Sequence, residues 1–137
     1  TYMVLLGFGD EEHTSGTQGT CTTGSNVDSL KVMSYNVFLI LCSPGVKCEP
    51  DMDVRTGRVE KITEWFQDRD EDVVLFQEVW SLQDELRDGM ADAGFCHYVI
   101  STKFRGSGLA VFSKHPIVEH DFKDWFDAFG MGEGMAP

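Results

Sequence analysis

The chain has 137 residues, enough for one domain with a real core, and carries 11 Lys and Arg against 23 Asp and Glu, a formal net charge of −12. So few cations make a poor general binder of nucleic-acid backbones, which gains its affinity by displacing counterions. An acidic chain can still hold a divalent cation and, through it, a phosphate. No segment reaches the roughly 20 apolar residues needed to span a bilayer.

The chain starts at Thr1 and stops at Met135-Ala136-Pro137 without a closing element, which reads as a fragment or a processed chain. Tyr2 to Leu6 is short, apolar and without a basic flank, so a complete signal peptide is not visible. Gly7 to Ser29 is rich in Gly, Ser and Thr, and residues 1–29 read as a flexible lead-in to a domain over 30–137. Leu30 to Val37 alternates apolar and polar and predicts a strand with Asn36 near its end. Cys42 to Asp53 predicts a loop, in which Cys42 and Cys48 bracket a turn-rich stretch. A disulfide there implies an oxidising compartment, and free thiols an intracellular one. Cys21, Cys42, Cys48 and Cys96 match no zinc motif, and their pairing stays open.

Val59, Ile62 and Phe66 fall on one helical face, with Trp65 beside them, and predict an amphipathic helix over Val54–Asp68. Val73-Val74-Leu75-Phe76 is an unbroken apolar run, the mark of a strand buried on both faces. It ends in Gln77-Glu78-Val79-Trp80, and a carboxylate at such a strand end is costly unless something compensates it. A helix between two strands predicts a right-handed crossover and parallel neighbours. That arrangement brings Asn36 and Glu78 to the same end of the sheet, as a pair of oxygen ligands for a hard cation such as Mg²⁺.

Ser81 is the expected N-cap of a second helix, with Leu82, Leu86 and Met90 buried and Gly94 ending it. Phe95 to Ser101 and Leu109 to Ser113 predict a hairpin around the glycine-rich turn at 103–108. Lys114-His115-Pro116 predicts a turn, and Ile117 to Phe122 a fifth strand. Phe122, Trp125, Phe126 and Phe129 form an aromatic cluster, either core or a lipid-facing loop.

Ser34-Tyr35-Asn36-Val37, Phe76-Gln77-Glu78-Val79 and Gly108-Leu109-Ala110-Val111-Phe112-Ser113-Lys114-His115-Pro116-Ile117 stand in an order and spacing that resembles the metal-dependent endonuclease/exonuclease/phosphatase superfamily. Within it, Glu78-Val79-Trp80-Ser81 with Gln83-Asp84, and Gly106-Ser107-Gly108-Leu109 through Ile117, look most like neutral sphingomyelinases. The resemblance implies an α/β fold, the N-terminal half of a DNase I-like sandwich of two mixed sheets with flanking helices. It implies that Glu78 ligates Mg²⁺ directly and that Asn36 helps hold the metal or the phosphate. The family's general base, a His oriented by an Asp, has no matching motif here, and His115 and His120 do not fit that role.

The function expected from the resemblance is therefore a Mg²⁺-dependent phosphodiesterase that cleaves sphingomyelin to ceramide and phosphocholine, with this chain inactive alone. The alternatives are a nuclease of the same superfamily, an inositol-phosphate phosphatase and a non-catalytic binding module. Trp80 stands where such nucleases carry a basic residue, so nucleic acid is disfavoured as a partner. A phospholipid substrate with peripheral membrane contact is expected, and a secreted or membrane-associated location is favoured over a cytoplasmic one. If the second sheet is missing, the first is expected to bare an apolar face.

Overall fold

The computed structural model describes residues 13–19, 21, 28–40, 51–102 and 107–121. Its elements are β1 (His13–Thr17), β2 (Val32–Leu39), α1 (Met52–Phe66), β3 (Val73–Val79), α2 (Gln83–Asp92), β4 (His97–Ser101) and β5 (Ala110–Ser113). They form a mixed five-stranded sheet in the order β1-β4-β5-β3-β2 with two helices, an α/β fold. β2 and β3 are parallel neighbours joined through α1, as the crossover pattern predicts. β4 and β5 are antiparallel, as the hairpin predicts, and β5 also pairs antiparallel with β3.

α1 begins at Asp51, whose Oδ1 accepts the Val54 N–H at 3.0 Å. Its buried stripe is Arg55, Val59, Ile62 and Phe66, at spacings of four, three and four. α2 buries Leu86 and Met90. It ends as Gly94 adopts φ +89°, with Gly94 N–H donating to Ala91 O and Phe95 N–H to Met90 O. That pair of bonds is a Schellman motif, and glycine is the residue that takes its left-handed position without cost. The two helices meet closely at Gly89, where a Cβ would lie 2.6 Å from the Thr63 side chain.

The core joins the helix stripes to Val74, Phe76, Ile100, Ala110 and Phe112 on one face of the sheet. Phe66 meets Phe76 and Phe95 edge to face, each at 5.6 Å. The opposite face is not bare at Val73, Val99 and Val111, which are at most 4% exposed. The segment after β5 lies across it, with Pro116 and Ile117 beside His97 and Val99.

Three expectations are corrected. His13–Thr17, assigned to a flexible lead-in, form an edge strand on β4, and Cys21 in the same stretch is bonded to Cys96. Ile117 to Asp121 is not a strand: the chain after β5 turns over the face of the sheet, beside His97 and Val99, instead of running along a strand edge. Ser81 does not cap α2: Leu82 holds the N-cap position at φ +56° with no side-chain cap, and the Ser81 hydroxyl is used elsewhere. Cys42, Cys48 and the aromatic cluster from Phe122 to Phe129 lie outside the described residues.

Candidate functional site

Asn36 and Glu78 lie at the same end of the sheet, the carboxyl ends of β2 and β3. Asn36 pairs with Gln77 across the parallel ladder, one residue before Glu78. The register then shifts: Leu39 pairs with Val79, so Val37 and Phe38 of β2 face the single residue Glu78 of β3. This is a β-bulge. It places two non-glycine residues in the left-handed region, Phe38 at φ +52° and Glu78 at φ +60°. Each costs roughly 1–2 kcal/mol relative to ordinary backbone. Asn36 Oδ1 accepts the Phe38 N–H at 2.9 Å, a local turn bond that supports the bulge. Asn36 is exposed, and its carboxamide keeps free donor and lone-pair capacity.

Glu78 is half-buried, and its Oε2 is fully buried with no hydrogen-bond partner among the described residues. A buried carboxylate oxygen with nothing to accept from carries a desolvation cost of several kcal/mol, about 2 or more. A bound cation removes that cost. The donor set here, one carboxylate and one carboxamide, is of the oxygen type that a hard ion takes.

Neighbouring groups fix this end of the sheet. Arg55, 4% exposed, reaches from α1 and donates to Ile40 O at 2.7 Å and to Ser81 Oγ at 3.3 Å. Ser81 Oγ donates in turn to Leu39 O at 3.2 Å. Arg58, one turn on, donates to Phe38 O at 2.8 Å and lies over the Phe38 ring. Gln83 Nε2 ties Val79 O at 3.1 Å to Ser101 O at 2.8 Å. Gly108, at φ +63°, accepts the Val79 N–H at 2.8 Å, and a Cβ there would fall 2.3 Å from the Trp80 ring nitrogen. Gly108 is therefore packed closely against Trp80, β5 rather than a helix follows it, and Gly106 lies outside the described residues.

Arg55 and Arg58 were not singled out from sequence. The signal for Arg55 was there: it occupies the first place on the stripe that continues as Val59, Ile62 and Phe66. A cation on an apolar stripe is retained only where it meets acceptors.

The histidines lie elsewhere. His115 Nε2 pairs with Asp72 Oδ1 at 2.9 Å, at the opposite end of β3. His97 Nδ1 meets Thr17 Oγ1 at 3.0 Å, also at that far end, and burial lowers its pKa, with the nearby His115 adding to the shift. His13 and His120 stack edge to face at 4.8 Å on β1, with β4 and β5 between them and β3. Burial, and then His13, lower the pKa of His120.

No solved structure matches the chain. The inositol phosphosphingolipids phospholipase C of Schizosaccharomyces pombe is 42% identical over 71 residues, which cover 47% of this chain and 16% of that protein. The model of the endonuclease/exonuclease/phosphatase family matches residues 33–133, from β2 through the bulge, Glu78 and β5. With that match extending over most of its length, the chain belongs to the endonuclease/exonuclease/phosphatase family, a family of hydrolases.

Proposed function

We propose that this chain carries the metal-holding part of a Mg²⁺-dependent phosphodiesterase that acts on a phosphosphingolipid, with sphingomyelin, cleaved to ceramide and phosphocholine, as the first substrate to test. The observation that carries the reading is the buried, partnerless Oε2 of Glu78 beside the Asn36 bulge. Glu78 would hold the ion, and Asn36 would fix the bulge and offer its amide to the ion's water or to a phosphoryl oxygen. Bound Mg²⁺ supplies positive charge to the phosphoryl and leaving oxygens. Arg55 and Arg58 hold the strand ends still, so that little reorganisation is needed when substrate arrives. The name of the fission-yeast relative supports a phosphosphingolipid over a nucleic acid, and an inositol-bearing headgroup is the natural competitor to phosphocholine.

A non-catalytic metal-binding module is the second reading. It is favoured by the placement of His97 and His115, both at the far end of the sheet from Glu78. Titrating Mg²⁺ into the full-length protein with sphingomyelin vesicles, inositol phosphosphingolipid vesicles and plasmid DNA separates the readings, with Glu78→Gln as control. Lipid turnover that rises with Mg²⁺ and is lost in Glu78→Gln supports the enzyme. Mg²⁺ binding without turnover of any substrate assigns the module. Turnover unchanged in Glu78→Gln would rule out the site.

A further inference from the structure

Among the described residues, five of the seven exposed large apolar side chains lie on one flank: Tyr35 and Phe38 of β2, and Met52, Val54 and Trp65 of α1. Single exposed apolar residues are ordinary, but this clustering is not. Between the two elements runs a groove of about 680 Å³, lined by Tyr35, Val54, Gly57, Ile62 and Trp65. The only charged side chains in its lining are Arg58 and Lys61. A Cβ added at Gly57 would meet nothing within 4 Å, so the groove is open there.

Resting on the lipid reading above, we infer that this α1–β2 flank is where the protein docks onto a lipid surface bearing anionic headgroups. Trp and Tyr rings combined with basic side chains suit the boundary between headgroups and acyl chains. A chain of net charge −12 is repelled by an anionic surface unless it presents cations locally, and here the groove presents cations alone. A second copy is a poorer occupant, because a two-fold contact through this flank sets Arg58 and Lys61 against themselves. An added peptide strand is also poorer, because Arg58 already occupies the Phe38 carbonyl. The flank adjoins the metal site through Phe38, which belongs to both.

Co-sedimentation of the full-length protein with phosphatidylcholine vesicles, with and without phosphatidylserine, tests the inference. Binding is expected to the mixed vesicles only and to weaken at high salt. Lys61→Glu and Gly57→Glu are each expected to lower the partition coefficient by about fivefold or more. Gly57→Glu replaces a helix-interior glycine over open space, so its thermal melt is expected to match or exceed that of the parent. Gly57→Ala is expected to bind as the parent does, and Glu78→Gln to retain binding.

Vesicle binding that is absent, or equal in Lys61→Glu and Gly57→Glu, would overturn the inference. So would a concentration-dependent dimer that Gly57→Glu abolishes, which would assign the flank to a second copy. Docking that survives while phosphodiesterase activity is absent defeats the proposed function and leaves this surface standing. Hydrolysis of detergent-solubilised lipid without vesicle binding does the reverse.

Discussion

The two ends of the β2–β3 pair each carry a carboxylate, and the two are in opposite states. At the amino end, Asp72 Oδ2 accepts the Lys31 N–H at 2.7 Å, and Oδ1 meets His115 Nε2 at 2.9 Å. Its backbone carbonyl accepts the Lys114 N–H at 2.9 Å. Beside it, Glu71 is 7% exposed and paired with Arg69. At the carboxyl end, Glu78 stands in left-handed backbone with one oxygen buried and without a partner among the described residues. The saturated end closes the fold. The strained, unsaturated end is where free energy is left for a ligand to release.

The largest expected effect comes from Glu78→Gln. It should lower Mg²⁺ affinity by on the order of 100-fold or more, since even residues behind the ligands are worth 10–100-fold. Calorimetric titration measures this. The metal-free protein should lose no stability, because Oε2 has no bond to lose; a large drop in its denaturation midpoint would erase the distinction between the ends.

Arg55→Met comes next. It leaves Ile40 O and Ser81 Oγ without their donor and should cost roughly 2–4 kcal/mol by chemical denaturation. Mg²⁺ affinity should fall with it, by about tenfold.

Asp72→Asn should cost about 1–2 kcal/mol at neutral pH and leave Mg²⁺ binding unchanged. The Lys31 N–H, and then the bond to His115, hold the Asp72 carboxyl below its ordinary value of 3.8. A depressed carboxylate contributes stability in full above that ordinary value, and the contribution is lost as pH falls through the lower folded-state value. The parent should therefore lose stability in that acidic window, and Asp72→Asn should show a flatter profile in a pH series of thermal melts.

The smallest effect is expected for Phe38→Gly. Relief of left-handed strain, about 1 kcal/mol, is offset by loss of the ring beneath Arg58, about 0.5–1 kcal/mol. Stability should stay within about 0.5 kcal/mol of the parent. A loss of several kcal/mol would mean that the bulge is not strained.

The parts of the fold visible in the sequence are those with a strong hydrophobic period. The stripe of Val59, Ile62 and Phe66, the run Val73 to Phe76 and the glycine stop at Gly94 each state their structure locally, and the parallel crossover follows from the first two. β1 was invisible because His13-Thr14-Ser15-Gly16-Thr17 has no apolar alternation, and it is held by backbone pairing to β4. The Cys21–Cys96 bond was not legible either: the pairing of the four cysteines stayed open, and it is the sheet that brings together residues 75 positions apart. At the site, the residue types of Asn36 and Glu78 and their shared end were readable. The bulge was not, because it depends on how two strands slip past each other. Ser81 looked like a cap by residue type, but a buried arginine and a strand carbonyl claimed its hydroxyl.

The Cys21–Cys96 bond turns the intervening chain into a covalent ring that contains β2, α1, β3 and α2. Closing a ring of this size removes about 4 kcal/mol of freedom from the unfolded chain. A single protease nick anywhere inside the ring therefore leaves one covalent molecule, and only nick and reductant together separate the pieces. The amino-terminal strand stays tethered to the sheet through such an injury.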